Sequence, residues 1–380
     1  MALPAVVAQP PNAPRVLSFT QQRLWFLSQW EGVGEGAGRA TYNMPLALDL
    51  TGPLDPDALR RSLHWVIERH AVLRQCFPAV DGAARVAAVA DERLEQVFAV
   101  RDLTGLAGED AARAVAERAR AMALTAFDLE RGPLLAAELL VLDGQARHGL
   151  LLTLHHIVGD GWSWGMLLDD LRHAYAAFSA GDRPTRAPLA LQFSDYAAWE
   201  RQVMGGERIA GALAYWREQL ADAPALLELP GDRPRPPHQS FRGAHLPRAL
   251  PGPLRERVEH WARGQGATLF MALLSAYTAL LSRWSGQHDL CIGSPIANRR
   301  DATTEDMVGP FVNTLVLRGR LSPATTAAEL LAATRATCLG AYAHQDLPFD
   351  LLVEHLQPQR STSHGPLVPG HVRAVRRRGP

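Results

Sequence analysis

The chain has little of what would announce a metal, a membrane or a nucleic acid. Only three cysteines occur in 380 residues, Cys76, Cys291 and Cys338. They stand far apart and show no metal-ligand spacing, so no metal site and no disulfide framework is expected, and a reducing, cytoplasmic setting is. Net charge is missing too. The 39 basic and 39 acidic residues cancel, which removes the positive field of a nucleic-acid binder. Long hydrophobic runs are absent. The longest, residues 269–281, is interrupted by Ser275, Tyr277 and Thr278, so it is too short to span a bilayer and reads as a core helix capped by Thr268. Residues 1–8 are apolar but carry no basic flank, which argues against a signal peptide. At this length two lobes are expected rather than one core.

What is present centres on His155-His156-Ile157-Val158-Gly159-Asp160-Gly161-Trp162-Ser163. The apolar run 150–154 before it reads as a buried strand. After it, Ser163 is placed to cap a helix whose Leu167, Leu168, Leu171 and Tyr175 recur at helical spacing up to Gly181. Two histidines thus stand where a strand ends, beside a turn that opens a helix and exposes backbone N–H groups.

Six further blocks flank this one. Ser18-Phe19-Thr20-Gln21-Gln22-Arg23-Leu24-Trp25 reads as a helix start with Thr20 as cap. Asp55-Pro56 opens a helix with Leu59, Leu63, Val66 and Ile67 on one face, ending in Arg69-His70-Ala71-Val72-Leu73-Arg74-Gln75-Cys76-Phe77. Phe193-Ser194-Asp195-Tyr196-Ala197-Ala198-Trp199 lies beyond a Gly/Pro-bearing stretch at 181–188. Then come Ser294-Pro295-Ile296-Ala297-Asn298-Arg299, Val308-Gly309-Pro310-Phe311-Val312-Asn313-Thr314 and His344-Gln345-Asp346-Leu347-Pro348-Phe349-Asp350.

In this order the seven blocks resemble the motifs of condensation domains of nonribosomal peptide synthetases, whose relatives are acyltransferases built like chloramphenicol acetyltransferase. Departures are small: Ala71 where the family usually has Glu, Gln75 and Ser294 for Thr, Pro310 for an aromatic, Asp350 for Glu. The resemblance implies a mixed α/β (α+β) fold of two chloramphenicol-acetyltransferase-like lobes, a V-shaped pseudo-dimer with a central tunnel. On that plan residues 1–14 are a flexible lead-in, 15–180 the N-terminal lobe with the histidine motif, 181–188 a linker and 189–367 the C-terminal lobe. Residues 368–380, basic and poor in apolar periodicity, read as a disordered tail. The family's next strand does not appear before it, so the C-terminal lobe is expected to be truncated with an exposed sheet edge.

The resemblance also implies a reaction, in which the amine of an acceptor aminoacyl thioester attacks a donor aminoacyl or peptidyl thioester. His156 is the expected catalytic histidine, as general base or as orienter of the amine. His155 is expected to pack at the strand end, and Gly161 to bring its N–H near an oxyanion. The family pattern further implies an Arg69–Asp160 ion pair that fixes the histidine loop. Arg74, Trp199, Asn298, Arg299 and Asn313 are candidate tunnel or lobe contacts. No cofactor is expected on the chain itself; 4′-phosphopantetheine would arrive on donor and acceptor peptidyl carrier domains, with an adenylation domain in the same assembly. The motif wording looks most like domains joining an L-configured donor to an L-configured acceptor. Two other classes remain open: a non-catalytic carrier-docking module or inactive remnant, and a stand-alone acyl-coenzyme A-dependent acyltransferase.

Overall fold

The computed structural model describes residues 3–31, 40–143, 146–205, 207–234, 236, 243–244, 246–300, 302–357 and 367. The tail read at 368–380 lies outside the described residues. Helices and sheets are both present, a mixed α/β fold. The chain divides into two units, one of Met1–Val203 with Arg299–Phe311, the other of Met204–Asn298 with Val312–Pro380.

The first unit is built on a four-stranded sheet. Its strands are β1 (Asn43–Thr51), β2 (Phe98–Asp102), β3 (Leu135–Asp143) and β4 (Arg147–His155), in the spatial order β1-β4-β3-β2. β4 runs antiparallel between β1 and β3, and β2 lies parallel to β3. β4 is central, so both of its faces are covered and its sequence is almost unbroken apolar. Leu150, Leu152 and Leu154 join the main core. On the other face, Thr153 Oγ1 donates to the Met122 carbonyl at 3.0 Å. That carbonyl belongs to the helix α3 (Gly108–Ala123). By strand alternation His155 points to the same side as Thr153.

Helices α2 (Pro56–Arg69) and α4 (Ser163–Ser179) pack together, burying Leu63, Val66, Leu167 and Leu171 against Leu135 and Leu152. α2 begins where the sequence places it, with Asp55 Oδ1 accepting the N–H groups of Asp57 and Ala58. The first helix, α1 (Phe19–Glu31), starts on a different cap from the one expected. Ser18 Oγ accepts the Gln21 N–H and Gln21 Oε1 accepts the Ser18 N–H, both at 3.1 Å. This reciprocal box leaves no capping work for Thr20.

Two boundaries move. Arg186 and Ala187, inside the stretch read as a linker, are tied to Asp170 and Arg69 of the first unit. α5 (Phe193–Val203) then packs Phe193, Tyr196 and Ala197 into the same core. The lead-in is pinned as well: Val6 is buried, Gln9 N–H donates to Asp195 Oδ1 at 2.9 Å, and Trp199 Nε1–H donates to the Pro4 carbonyl at 2.8 Å. α5 supplies a carboxylate and an indole that a loose segment would leave idle.

The second unit holds α6 (Glu207–Gln219), α7 (Gly252–Gly264), α8 (Leu269–Ser285), α9 (Ala327–Ala343) and α10 (Phe349–Leu356). With them is an antiparallel pair, β5 (Asp289–Ile296) and β6 (Asn313–Arg320). Thr268 caps α8 through the Met271 N–H, as read from the sequence, and a Thr326–Glu329 box caps α9. Arg318, buried, binds Asp289 at 2.6 Å and the carbonyls that close α6. Among the described residues no single helix is long and apolar enough to cross a membrane.

Candidate active site

The histidines sit at the end of the central strand, and both of their backbone N–H groups are committed. His155 N–H donates to the Leu134 carbonyl and His156 N–H to the Tyr42 carbonyl, at 2.9 and 2.8 Å. The His155 ring is buried between Tyr42 and Phe127, which meet it edge-on. Its Nδ1 accepts the Ile157 N–H at 3.2 Å, which leaves the proton of the neutral ring on Nε2. Burial, with His156 beside it, pushes the His155 pKa down to about 3. His155 is therefore a neutral ring packed at the strand end, where it holds the first N–H of the turn.

His156 is different. Its Nδ1 is sealed from solvent and has no hydrogen-bond partner among the described residues. Burial lowers its pKa and the Arg23 guanidinium pushes the same way. Its own carbonyl, that of Gly159 and the Asp160 carboxylate oppose the shift without reversing it. The result is a neutral imidazole near pH 7, the form able to take up a proton.

The turn that follows is packed tightly. A Cβ on Gly159 would lie 2.6 Å from Leu154 Cδ2, so any larger residue must push that side chain aside. Gly161 is exposed at the turn, and among the described residues its N–H meets no acceptor. Asp160 is fully buried. Its Oδ1 accepts the Ser163 N–H at 2.9 Å, the Ser163 hydroxyl at 2.8 Å and Arg299 Nη2 at 3.2 Å; its Oδ2 accepts the Phe311 N–H at 3.1 Å. Every lone-pair direction is used, and the carboxylate is spent on structure rather than proton transfer.

Ser163 stands inside the first turn of α4, not before it; Trp162 is the flanking residue and makes no side-chain cap. The capping oxygen comes from Asp160. Ser163 serves as a hub instead, its Oγ accepting the N–H groups of Asp160 and Gly309 at 3.1 and 3.2 Å.

Residues 299–300 and 302–311 form a strap laid on this loop. Arg299 is its anchor, with a side chain only 1 % exposed. Besides Asp160, its guanidinium donates to the carbonyls of Thr304 and Met307 and lies 4.0 Å from the Phe311 ring centroid. Burial pulls its pKa down and Asp160 pulls it back up. Gly309 lets the strap approach, since a Cβ there would fall 2.0 Å from the Phe193 ring. Trp162, 49 % exposed, closes the edge by donating to the Glu305 carbonyl at 3.2 Å.

The expected Arg69–Asp160 pair is not formed. Arg69 ends α2, which packs beside the middle of α4, so it meets Asp170, Nε to Oδ2 at 3.2 Å. Asp160 lies in the turn before α4, and Asp170 already stands seven residues into that helix, ~10 Å along its axis. His70 Nε2 shares the same Asp170 oxygen at 2.7 Å, and Arg186 takes the other at 2.7 Å. Burial alone would raise the Asp170 pKa, but His70, Arg69 and Arg186 together hold it below the usual carboxylate range.

Of the other candidates, only Arg299 joins the histidine loop. Arg74 is exposed at the end of the turn after α2. Trp199 stacks on Tyr196 and holds the lead-in. Asn298, at a left-handed φ of 54°, closes the second unit's segment just before the strap. Asn313 is a structural staple: its Nδ2 donates to the carbonyls of Gln345 and Leu347, and its Oδ1 accepts the N–H groups of Thr314 and Phe349, all at 2.9 Å. Sequence reasoning missed Ser163 as hub and Gln21 as a support of the loop, whose Nε2 donates to the Ile157 carbonyl at 3.1 Å. A buried glutamine inside a helix-start motif is the signal that pointed there. No group of residues suited to a metal occurs among the described residues.

Comparisons with known proteins bear on this arrangement. A family model described as "Condensation domain" matches residues 14–373. The chain is 44 % identical over 362 residues to one of the linear gramicidin synthase proteins of Brevibacillus parabrevis, a match taking in 95 % of this chain and 5 % of that one. It therefore spans about one-twentieth of that relative's length. Among solved structures, the X-domain from teicoplanin biosynthesis superposes with a TM-score of 0.84 at 31 % identity, covering 97 % of this chain and 79 % of the other. That X-domain is also known in a complex with OxyB. The first condensation domain of the calcium-dependent antibiotic synthetase gives a TM-score of 0.72 at 23 % identity over 94 % of this chain and 79 % of that one, a likeness of fold alone.

Proposed function

We propose a function from one premise: this chain belongs to the condensation-domain family. The reading is peptide-bond formation between two carrier-bound thioesters. The observation that carries it is His156, a half-buried, neutral imidazole with an unpartnered Nδ1 at a strand end whose N–H groups are tied.

The acceptor amine attacks the donor thioester carbonyl; a C–N bond forms, the C–S bond breaks, and the donor carrier keeps its thiol. The amine must shed a proton on the way, to a base or to the leaving thiolate. His156 either accepts that proton or holds the amine by a hydrogen bond; base catalysis of this kind contributes ~10²–10⁴-fold. Nδ1 is sealed inside the protein, so Nε2 is the nitrogen assigned to meet the substrate. The Gly161 N–H is the donor assigned to the developing oxyanion. Asp160 and Arg299 keep the loop in shape without touching substrate. The donor and acceptor arms are 4′-phosphopantetheine on peptidyl carrier domains, with an adenylation domain in the same assembly. The relative's name, a gramicidin synthase, supports this. Three buried, unpaired thiols support a cytoplasmic setting.

A recruitment module is the second reading, favoured by the likeness to an X-domain known in complex with OxyB. One experiment separates the two. Purified protein and its His156→Ala variant are given two loaded carrier domains, and dipeptidyl carrier is read by mass spectrometry. Product from the wild type that falls at least a hundredfold in the variant supports condensation. A folded wild type that makes no product across several amino acid pairs, while still binding partner domains, supports recruitment instead.

A further inference from the structure

The main chain at His156 and Ile157 is held at three groups. Its own N–H goes to Tyr42, the next N–H, of Ile157, goes to the His155 ring, and the Ile157 carbonyl receives Gln21 Nε2. The first two anchors lie on the sheet or just before it. The third comes from α1, 136 residues away in sequence. Gln21 is 1 % exposed, and its amide has one workable orientation. Oε1 accepts the Ser18 N–H at 3.1 Å, so Nε2 must face Ile157. A flipped amide would set two donors against each other at Ser18 and two acceptors at Ile157.

Resting on the reading of His156 as the reacting histidine, we propose that Gln21 is a positioning residue for that histidine, acting through the Ile157 carbonyl. Its side chain links two tasks, closing the first turn of α1 and fixing the peptide that follows His156. Loss of the donor leaves a buried carbonyl unsatisfied, and the loop can regain a partner only by opening to water. An opened loop lets the imidazole stray from its reactive placement, and small misplacements are expensive in rate.

Two variants separate the tasks. Gln21→Met and Ser18→Ala both break the reciprocal cap, but only the first frees the Ile157 carbonyl. Hydrogen exchange of peptides covering residues 155–163 is measured on both, beside dipeptide formation with loaded carriers. The expected result is exchange at least tenfold faster in Gln21→Met and unchanged in Ser18→Ala. With it, kcat of Gln21→Met falls at least tenfold, KM for each carrier stays within twofold, and Ser18→Ala keeps kcat within twofold. Equal exchange in the two variants, or wild-type kcat in Gln21→Met, overturns the proposal. A wild type without product sinks the condensation reading, and the exchange comparison alone then decides the role of Gln21. Should Gln21→Met not fold, Gln21→Glu is read in its place. It keeps the acceptor for Ser18, and only its protonated acid can donate to Ile157. Its kcat relative to wild type should then fall as pH rises, and a ratio independent of pH overturns the proposal.

Discussion

Asp160 and Asp170 are both withdrawn from solvent within the first unit, and they are neutralised in opposite ways. Asp160 is paired with Arg299, and both side chains are sealed at 0 and 1 % exposure. Asp170 has three partners, Arg69, His70 and Arg186, and the two arginines keep part of their surface in water. The first arrangement is exclusive, the second redundant. A sealed pair gains little stability over an apolar replacement but loses heavily when one member is removed. A shared carboxylate tolerates the loss of any one partner because the others close over it.

The largest expected effect follows from breaking the exclusive pair. Arg299→Met strands Asp160 and should lower unfolding stability by about 3–5 kcal/mol in denaturant titration. Asp160→Asn added to it should restore part of that loss. Next comes Asp170→Asn, expected to cost about 1–3 kcal/mol because three donors keep a weaker acceptor. This effect carries a pH signature. The folded pKa of Asp170 lies below its unfolded value, so its contribution is present above the unfolded value, ~3.9, and is lost as pH falls through the folded one. Wild type and variant should converge in stability under strongly acidic conditions and separate above about pH 4.

Smaller still is Arg69→Ala, expected to cost about 1 kcal/mol with condensation rate unchanged within about twofold. A loss as large as that of Arg299→Met would break the contrast and return Arg69 to the histidine loop. Last is Arg186→Ala, whose side chain is 30 % exposed. Its cost should be at most about 1 kcal/mol and should shrink further at ~1 M salt in thermal melts.

The same two clusters show what could be read from the chain alone. β4, α2, α4 and α8 were legible because apolar spacing and the Asp55 and Thr268 caps are local signals. That the paired histidines stand where a strand ends was legible from the apolar run before them. The partner of Asp160 was not. The chain has no lysine, so all 39 of its basic residues are arginines, alike in charge and reach. Only packing chooses among them: Arg69 is carried to Asp170 by the contact of α2 with α4, and Arg299 to Asp160 by the strap. Neither Trp199 nor the lead-in gave a local sign of their contact, since residues 4 and 199 meet only once α5 has docked. Asn313 read as a site residue because its four hydrogen bonds are made to backbone, which sequence does not display.

The strap has a consequence for how the molecule comes into being. Arg299 follows Asp160 by 139 positions, and the segment that completes the first unit is synthesised only after 95 residues of the second, Met204–Asn298. During synthesis the histidine strand can pair, and α2 and α4 can close on it, long before the cation for Asp160 exists. Until then that carboxylate keeps the Ser163 donors but has no Arg299 to balance its charge, which water must compensate. Residues 1–203 alone would thus carry the histidines without the arginine that locks Asp160 in place.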